Sequence, residues 1–252
     1  MKTCASFATR VFMVLSAISL ASSCSHKSAP APLPKPTAFG AAIAESSGGK
    51  QTAQTGTLLP QPLVVQVNDE QGTAVAGALV EFRAAPGVTF DPANGLTDSS
   101  GQVTTNVSVG GMDGRYQVVA STFDKSHKEI VLKVDEIALG YQQNLGRLLA
   151  DQYCQRCHNP ESSVERVSNY DNLEIKPHSF SEGDTYNKIS DADLTAIISY
   201  GGPALNKSAL MPAWGNNLNK SDITALISYI RAVSDPPSRD AGPVYAKSSL
   251  TN

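Results

Sequence analysis

The chain has 252 residues, with 20 Lys and Arg against 23 Asp and Glu, which gives a formal net charge of −3. This balance argues against a nucleic-acid partner, because binding to phosphates needs a surplus of positive charge. It excludes no protein partner, because docking depends on local charge rather than on net charge.

Residues 1–23 have the parts of an export signal. Lys2 and Arg10 supply positive charge, and an uncharged, mostly apolar run of ten residues follows at 11–20. That run is long enough for a signal peptide and too short to span a bilayer. Small residues then precede Cys24. We therefore predict an exported protein, located in the periplasm or the cell envelope.

Cys24 is a candidate for lipidation. The segment before it resembles a bacterial lipoprotein signal, although Leu20 lies one place earlier than the usual leucine. The resemblance implies that Cys24 becomes a lipidated N-terminus that anchors the protein to the inner or outer membrane. The alternative is an ordinary signal peptide cut near the same point. Of the four cysteines, Cys4 leaves with the signal and two others share one motif, so lipidation gives the remaining thiol a role.

Residues 24–39 are predicted to form an extended linker. Proline alternates through this segment, at Pro30, Pro32, Pro34 and Pro36. This pattern favours the stiff polyproline II conformation over a packed element. A stiff spacer after a lipid anchor would hold the folded part away from the membrane.

Residues 40–137 have the alternating pattern of half-buried strands. Apolar side chains occupy every second position at 63–67 and again at 103–109, where Thr105 takes one of these positions. Turn sequences such as Asp98-Ser99-Ser100-Gly101 separate the runs. Several short strands at this spacing predict an all-β sandwich of two sheets.

The stretches 59–87 and 97–122 also resemble the bacterial Ig-like domains found in intimin and invasin. The resemblance implies an Ig-like sandwich without catalytic activity. Such a domain either contacts another protein or is a passive spacer, and we take the spacer as the simpler interpretation. Met112 and His127 fall in or beside its turns and are predicted to lie at the surface.

Residues Cys154 to His158 form a C-x-x-C-H motif, the signature of covalent c-type haem attachment. Cys154 and Cys157 can each add to one haem vinyl group, and His158 then lies where it can ligate the iron. A zinc site would need a second C-x-x-C or an H-x₃₋₅-H, and the sequence has neither. A thioredoxin-like redox pair would need a βαβ pattern nearby. We therefore predict one covalent haem c.

Residues 138–235 have a helical pattern. A first helix carries Gly146, eight residues before the first haem cysteine. A second helix is predicted to start at the N-cap Ser190 and to stop at Gly201-Gly202. A last helix is predicted to start at the N-cap Asn219.

This segment resembles the class I cytochromes c, which implies an all-α domain. In that family the glycine of the first helix allows a close crossing with the last helix. A Met-Pro in the loop before the last helix supplies the sixth iron ligand, which here implies Met211, the one methionine of this domain. His178 is the rival ligand, or a loop residue near a haem propionate. Trp214 either lines the haem crevice or simply packs. Ala150 stands where the family usually has an aromatic residue.

Residues 236–252 have the composition of a disordered tail. The whole pattern predicts a lipid-anchored electron-transfer protein with redox protein partners, not an enzyme by itself, although it could be a subunit of a larger oxidoreductase. Two alternatives stay open. One is a haem-based gas sensor in which Met211 dissociates, and the other is a surface adhesion module with an accessory cytochrome.

Overall fold

The computed structural model describes residues 32–159, 167–239 and 242–246. The predicted signal at 1–23 and the first half of the linker, including Cys24, lie outside the described residues. The remainder forms a β-sandwich followed by a helical domain, which confirms the predicted multidomain architecture. No helix within the described ranges is long and apolar enough to cross a membrane.

The sandwich consists of two sheets packed face to face. Val65, Val67, Val107 and Val118 point between them and are fully buried, which confirms the alternation predicted from the sequence. The first sheet has the spatial order β1 (Ala42–Ser47), β3 (Leu63–Asn68), β7 (Gln102–Ser108) and β5 (Thr89–Asp91). The second has the order β2 (Thr52–Gln54), β9 (Glu129–Leu139), β8 (Gly114–Phe123), β4 (Leu79–Arg83) and β6 (Asn94–Leu96), and β10 (Val244–Tyr245) also pairs with β8.

The two helices whose N-caps were predicted, at Ser190 and Asn219, begin at those residues. The Ser190 hydroxyl accepts from the Asp193 N–H, and the Asn219 side chain accepts from the Asp222 N–H, both at 3.1 Å. Each cap satisfies a backbone donor that would otherwise lack a partner. The helices are α1 (Tyr141–Tyr153), α2 (Gln155–His158), α3 (Gly183–Tyr186), α4 (Asp191–Tyr200) and α5 (Lys220–Val233), with 3-10 turns at Tyr170–Asn172 and Gly202–Leu205.

The helical core forms where α1 crosses α5. Gly146 is buried in the crossing, and a Cβ atom there would lie 2.0 Å from the carbonyl oxygen of Ala225. Ala150 is also fully buried, and Leu149 and Tyr153 pack around the same core.

The sandwich and the helical domain share buried side chains. Strand β9 runs two residues past the predicted boundary at 137, and only Gly140 separates it from α1. Ile137 and Leu139 at the end of β9 pack into the helical core. Arg115 of β8 is buried and donates to the carbonyl oxygens of Ala232, at 3.2 Å, and of Ser234, at the end of α5. The sandwich therefore completes one side of the helical domain.

The C-terminal segment departs from the predicted disorder at 236–252. Residues 242–246 are ordered, and β10 pairs in parallel with β8, with Tyr245 opposite Tyr116. The two tyrosine rings lie 4.8 Å apart. Strand β4 pairs with β8 only at residues 119–121, so the edge of β8 near Tyr116 is open to another strand. That unpaired edge lies far away in the sequence, so composition alone could not predict the pairing of Val244 and Tyr245.

The end of the predicted linker also belongs to the sandwich. The Thr37 N–H donates to the carbonyl oxygen of Gly77 at 2.9 Å, and Ala38 forms a bridge with Ala78. The ring of Phe39 contacts the exposed His127 with 5.3 Å between ring centroids. The folded part therefore begins about three residues before the predicted boundary at 40.

Glu136 is a carboxyl group buried inside the sandwich. It is fully buried on β9, between the core residues Val134 and Ala138. Oε2 accepts from the Gln51 N–H at 2.7 Å, and Oε1 has no hydrogen-bond partner among the described residues. Desolvation by burial raises the pKa of Glu136 to about 8.

Replacing Glu136 with glutamine should make thermal stability less dependent on pH. The folded protein keeps this proton up to about pH 8, whereas an unfolded glutamate releases it near 4.5. The folded state therefore binds more protons between these values, and wild-type stability falls as pH rises through this window. Glutamine retains an acceptor for Gln51 and cannot ionise. At pH 8.5 the variant should unfold about 4 °C or more above the wild type.

Circular dichroism melts between about pH 5 and pH 9 measure this difference. Glu70→Gln, in an exposed turn, is the matched control. Parallel curves for all three proteins would contradict a protonated Glu136.

Candidate haem site

The C-x-x-C-H motif lies at the end of α1 and in the following turn. The Cys154 N–H still donates to the carbonyl oxygen of Ala150, and the carbonyl oxygen of Cys154 accepts from the N–H groups of Cys157 and His158, both at 3.0 Å. Both cysteines are free and half-buried. Burial, and secondarily the neighbouring Cys157, raise the pKa of the Cys154 thiol to about 12. The two thiols and the imidazole thus follow one another on a single helical turn.

A hydrogen bond fixes the orientation of His158. Its Nδ1 lies 2.9 Å from the carbonyl oxygen of His178. A carbonyl can only accept, so Nδ1 carries the proton and Nε2 keeps a free lone pair. Desolvation by burial lowers the pKa of His158, which favours the neutral imidazole that a metal requires.

Two aromatic side chains support His158, and the sequence analysis assigned a role to neither. The Phe180 ring stacks on the imidazole with 4.8 Å between centroids and 24° between planes. The Tyr186 hydroxyl donates to the carbonyl oxygen of His178 at 3.0 Å. Phe180 and Tyr186 are buried and also contact each other. Two aromatic residues in an otherwise polar stretch were the only sequence signal, because the acceptor of Tyr186 is a backbone oxygen.

The His178 side chain points to another partner. Its Nδ1 lies 2.7 Å from Oε2 of Glu182, and both side chains are largely exposed. The hydrogen bond from His178 lowers the pKa of Glu182. The backbone of His178 contacts Nδ1 of His158, the protonated nitrogen, which has no free lone pair for a metal.

The Met211 loop is fastened to the end of α4. The Gly202 N–H donates to the Met211 carbonyl oxygen at 3.1 Å. Gly201 has a φ of +83°, and a Cβ atom at Gly202 would lie 1.9 Å from the carbonyl oxygen of Ser208. The pair Gly201-Gly202 was predicted only to end the helix. Because glycine has no side chain, the pair also lets the backbone of the Met211 loop pack closely against it.

Trp214 connects this loop to the cysteine motif. It is half-buried, and its ring lies 5.2 Å from that of Tyr153, the residue before Cys154. The backbone N–H of Trp214 donates to the carbonyl oxygen of Ile198 at 3.0 Å. Trp214 is only three residues after Met211, so packing and backbone bonds bring this part of the loop to the N-terminal side of the motif.

The donor set fits a covalent haem. It offers two free thiols in the C-x-x-C arrangement and a neutral imidazole with a free Nε2. A multidentate metal site is a poorer fit, because no three His, Cys, Asp or Glu side chains cluster around a common point in the described part of the chain.

Comparisons with known proteins give different matches for the two domains. Residues 142–230 match the family model described as cytochrome c oxidase, cbb3-type, subunit III. No curated protein sequence matches the chain significantly. Among solved structures, the D00-D0 domain of intimin is 17% identical over 38% of this chain, with a TM-score of 0.29.

Invasin, titled a bacterial integrin-binding protein, is 18% identical over 39% of this chain with a TM-score of 0.31. The adhesin InvE of Yersinia pseudotuberculosis is 14% identical over 39% with a TM-score of 0.30. The matches span 45% of the intimin chain, 19% of the invasin chain and 32% of the InvE chain. The two sheets confirm the predicted sandwich, and residues 142–230 match the family model, so this chain joins a two-sheet β-sandwich to a cytochrome c domain.

Proposed function

We propose that this chain is a one-electron carrier with a single haem c, held by Cys154 and Cys157 and ligated by His158 and Met211. The observation that carries the proposal is the hydrogen bond from Nδ1 of His158 to the carbonyl oxygen of His178 at 2.9 Å. It leaves Nε2 free and fixes the ring against Phe180. A bound haem would supply an iron that gains and loses one electron.

Two observations favour Met211 over His178 as the second axial ligand. His178 lies on the Nδ1 side of His158, away from the nitrogen that would bind iron, and its ring pairs with Glu182. The Met211 loop instead reaches the motif through Trp214 and Tyr153. Two protein ligands would leave no open position for substrate, which favours electron transfer over catalysis by this chain alone.

We further propose that the protein is exported, anchored through a lipid on Cys24 and served by redox protein partners. The basis is the sequence at 1–24, together with a family description that names a subunit of an oxidase. A place beside or within a larger oxidoreductase is consistent with that description.

Met211→Ala should abolish the spectrum of a His/Met haem and lower the midpoint potential, because thioether ligation raises the potential. Covalent haem on a denaturing gel should persist, since both cysteines are intact. Absorption spectra and a redox titration measure the two effects. His178→Ala is the matched control and should retain the wild-type spectrum.

An unchanged spectrum in Met211→Ala, with a changed one in His178→Ala, would assign the ligand to His178. Carbon monoxide also distinguishes an electron carrier from a gas sensor. The reduced wild type should not respond to it, whereas the alanine variant at 211 should. A wild type that binds carbon monoxide readily would contradict the electron-carrier proposal.

A further inference from the structure

The carbonyl oxygen of His178 accepts two hydrogen bonds. Nδ1 of His158 donates at 2.9 Å and the Tyr186 hydroxyl donates at 3.0 Å. The hydroxyl oxygen itself lies 3.4 Å from Nδ1. A carbonyl has two lone pairs, so it can accept from both donors, but each donor draws on the same electron density.

Tyr186 is held firmly in this position. Its side chain is 7% exposed, and its ring contacts Phe180 with 5.7 Å between centroids. Its backbone carbonyl accepts from Nη1 of the buried Arg231 at 2.6 Å. The hydroxyl therefore cannot turn to solvent, and water does not readily replace it at the carbonyl oxygen.

The competition between donors has a definite sign. A strong acceptor at Nδ1 makes an imidazole a more basic ligand and stabilises the oxidised iron. A second donor weakens that acceptor, so the imidazole becomes less basic and the reduced iron is favoured. The contact at 3.4 Å acts in the opposite direction, but it is longer than the bond at 3.0 Å and should be the weaker effect.

We propose that Tyr186 is a positioning residue that raises the reduction potential of the haem by sharing the carbonyl acceptor of His158. The inference rests on the proposed function, because it requires a haem ligated by His158. It assigns a role to a side chain whose hydrogen bond goes to a backbone carbonyl oxygen and not to Nε2 of His158.

Tyr186→Phe in the full-length, haem-loaded protein tests this role. At a fixed applied potential near the midpoint, the ratio of oxidised to reduced haem should rise about two- to tenfold, where tenfold corresponds to about 59 mV for one electron. The low-spin absorption spectrum should be unchanged. Tyr200→Phe removes an exposed hydroxyl from the same domain and should leave the potential unchanged.

Site-specific replacement of Tyr186 by 3-fluorotyrosine gives a second test with the opposite sign. The fluorine makes the hydroxyl a stronger donor and keeps the ring, so the potential should rise. Potentials that fall in the first variant and rise in the second support the inference. An unchanged potential, or a lower melting temperature without a redox shift, would overturn the inference about Tyr186 and leave the proposed function intact. A wild type without covalent haem would overturn the proposed function.

Discussion

Replacing Gly146 with alanine is expected to destabilise the cytochrome domain by about 3 kcal/mol, although alanine is the better helix former. Intrinsic propensity alone predicts a gain of about 0.5–1 kcal/mol in a helix interior. At this position a Cβ atom would lie 2.0 Å from the carbonyl oxygen of Ala225 and 2.8 Å from Cβ of Tyr229. The obstacle is backbone in α5, so the two helices must move apart and expose the core between them.

Chemical denaturation followed by the fluorescence of Trp214, the one tryptophan in the chain, measures this loss in the domain concerned. Gly111→Ala is the matched control, because a Cβ atom there meets nothing within 4 Å. Equal or greater stability of the alanine variant at 146 would show that α1 and α5 do not cross as described.

Replacing Arg115 with methionine is expected to uncouple the two domains. The change removes the donors to the carbonyl oxygens of Ala232 and Ser234 while it keeps most of the buried stem. Losing charged hydrogen bonds to buried carbonyls costs about 2–3 kcal/mol. Burying the Arg115 cation is itself unfavourable, and desolvation lowers the pKa of its guanidinium. Removing this cation therefore offsets part of the cost. We expect a net loss of about 2 kcal/mol, confined mainly to the helical domain.

Two probes distinguish uncoupling from a general loss of stability. Trp214 fluorescence reports on the helical domain, and far-ultraviolet circular dichroism reports on both domains. The transitions should coincide in the wild type and separate in the variant. Arg147→Met, which breaks an exposed ion pair with Asp151, should change stability by less than about 1 kcal/mol and leave the transitions together. Identical behaviour of the two variants would contradict the coupling.

Local chemistry made much of this molecule predictable from its sequence. Each of the caps at Ser190 and Asn219 depends on two residues three positions apart, and the C-x-x-C-H motif lies within five consecutive residues. The acceptor for His158 was not predictable, because it is a backbone oxygen twenty positions away. Strand β10 was missed for a related reason, since its partner edge on β8 belongs to the other domain. The pattern of side chains along a sequence indicates helices and strands. It does not indicate which distant backbone groups contact each other.

The chain passes between the two domains twice, outward through Gly140 and back between α5 and β10. A domain attached at one point can swivel, but one attached at two points has lost that freedom. The haem-bearing side of the helical domain should then keep a fixed orientation relative to the long axis of the sandwich. A partner that binds the sandwich would therefore also orient the cytochrome domain. The sandwich would set the direction in which that domain faces as well as how far it extends.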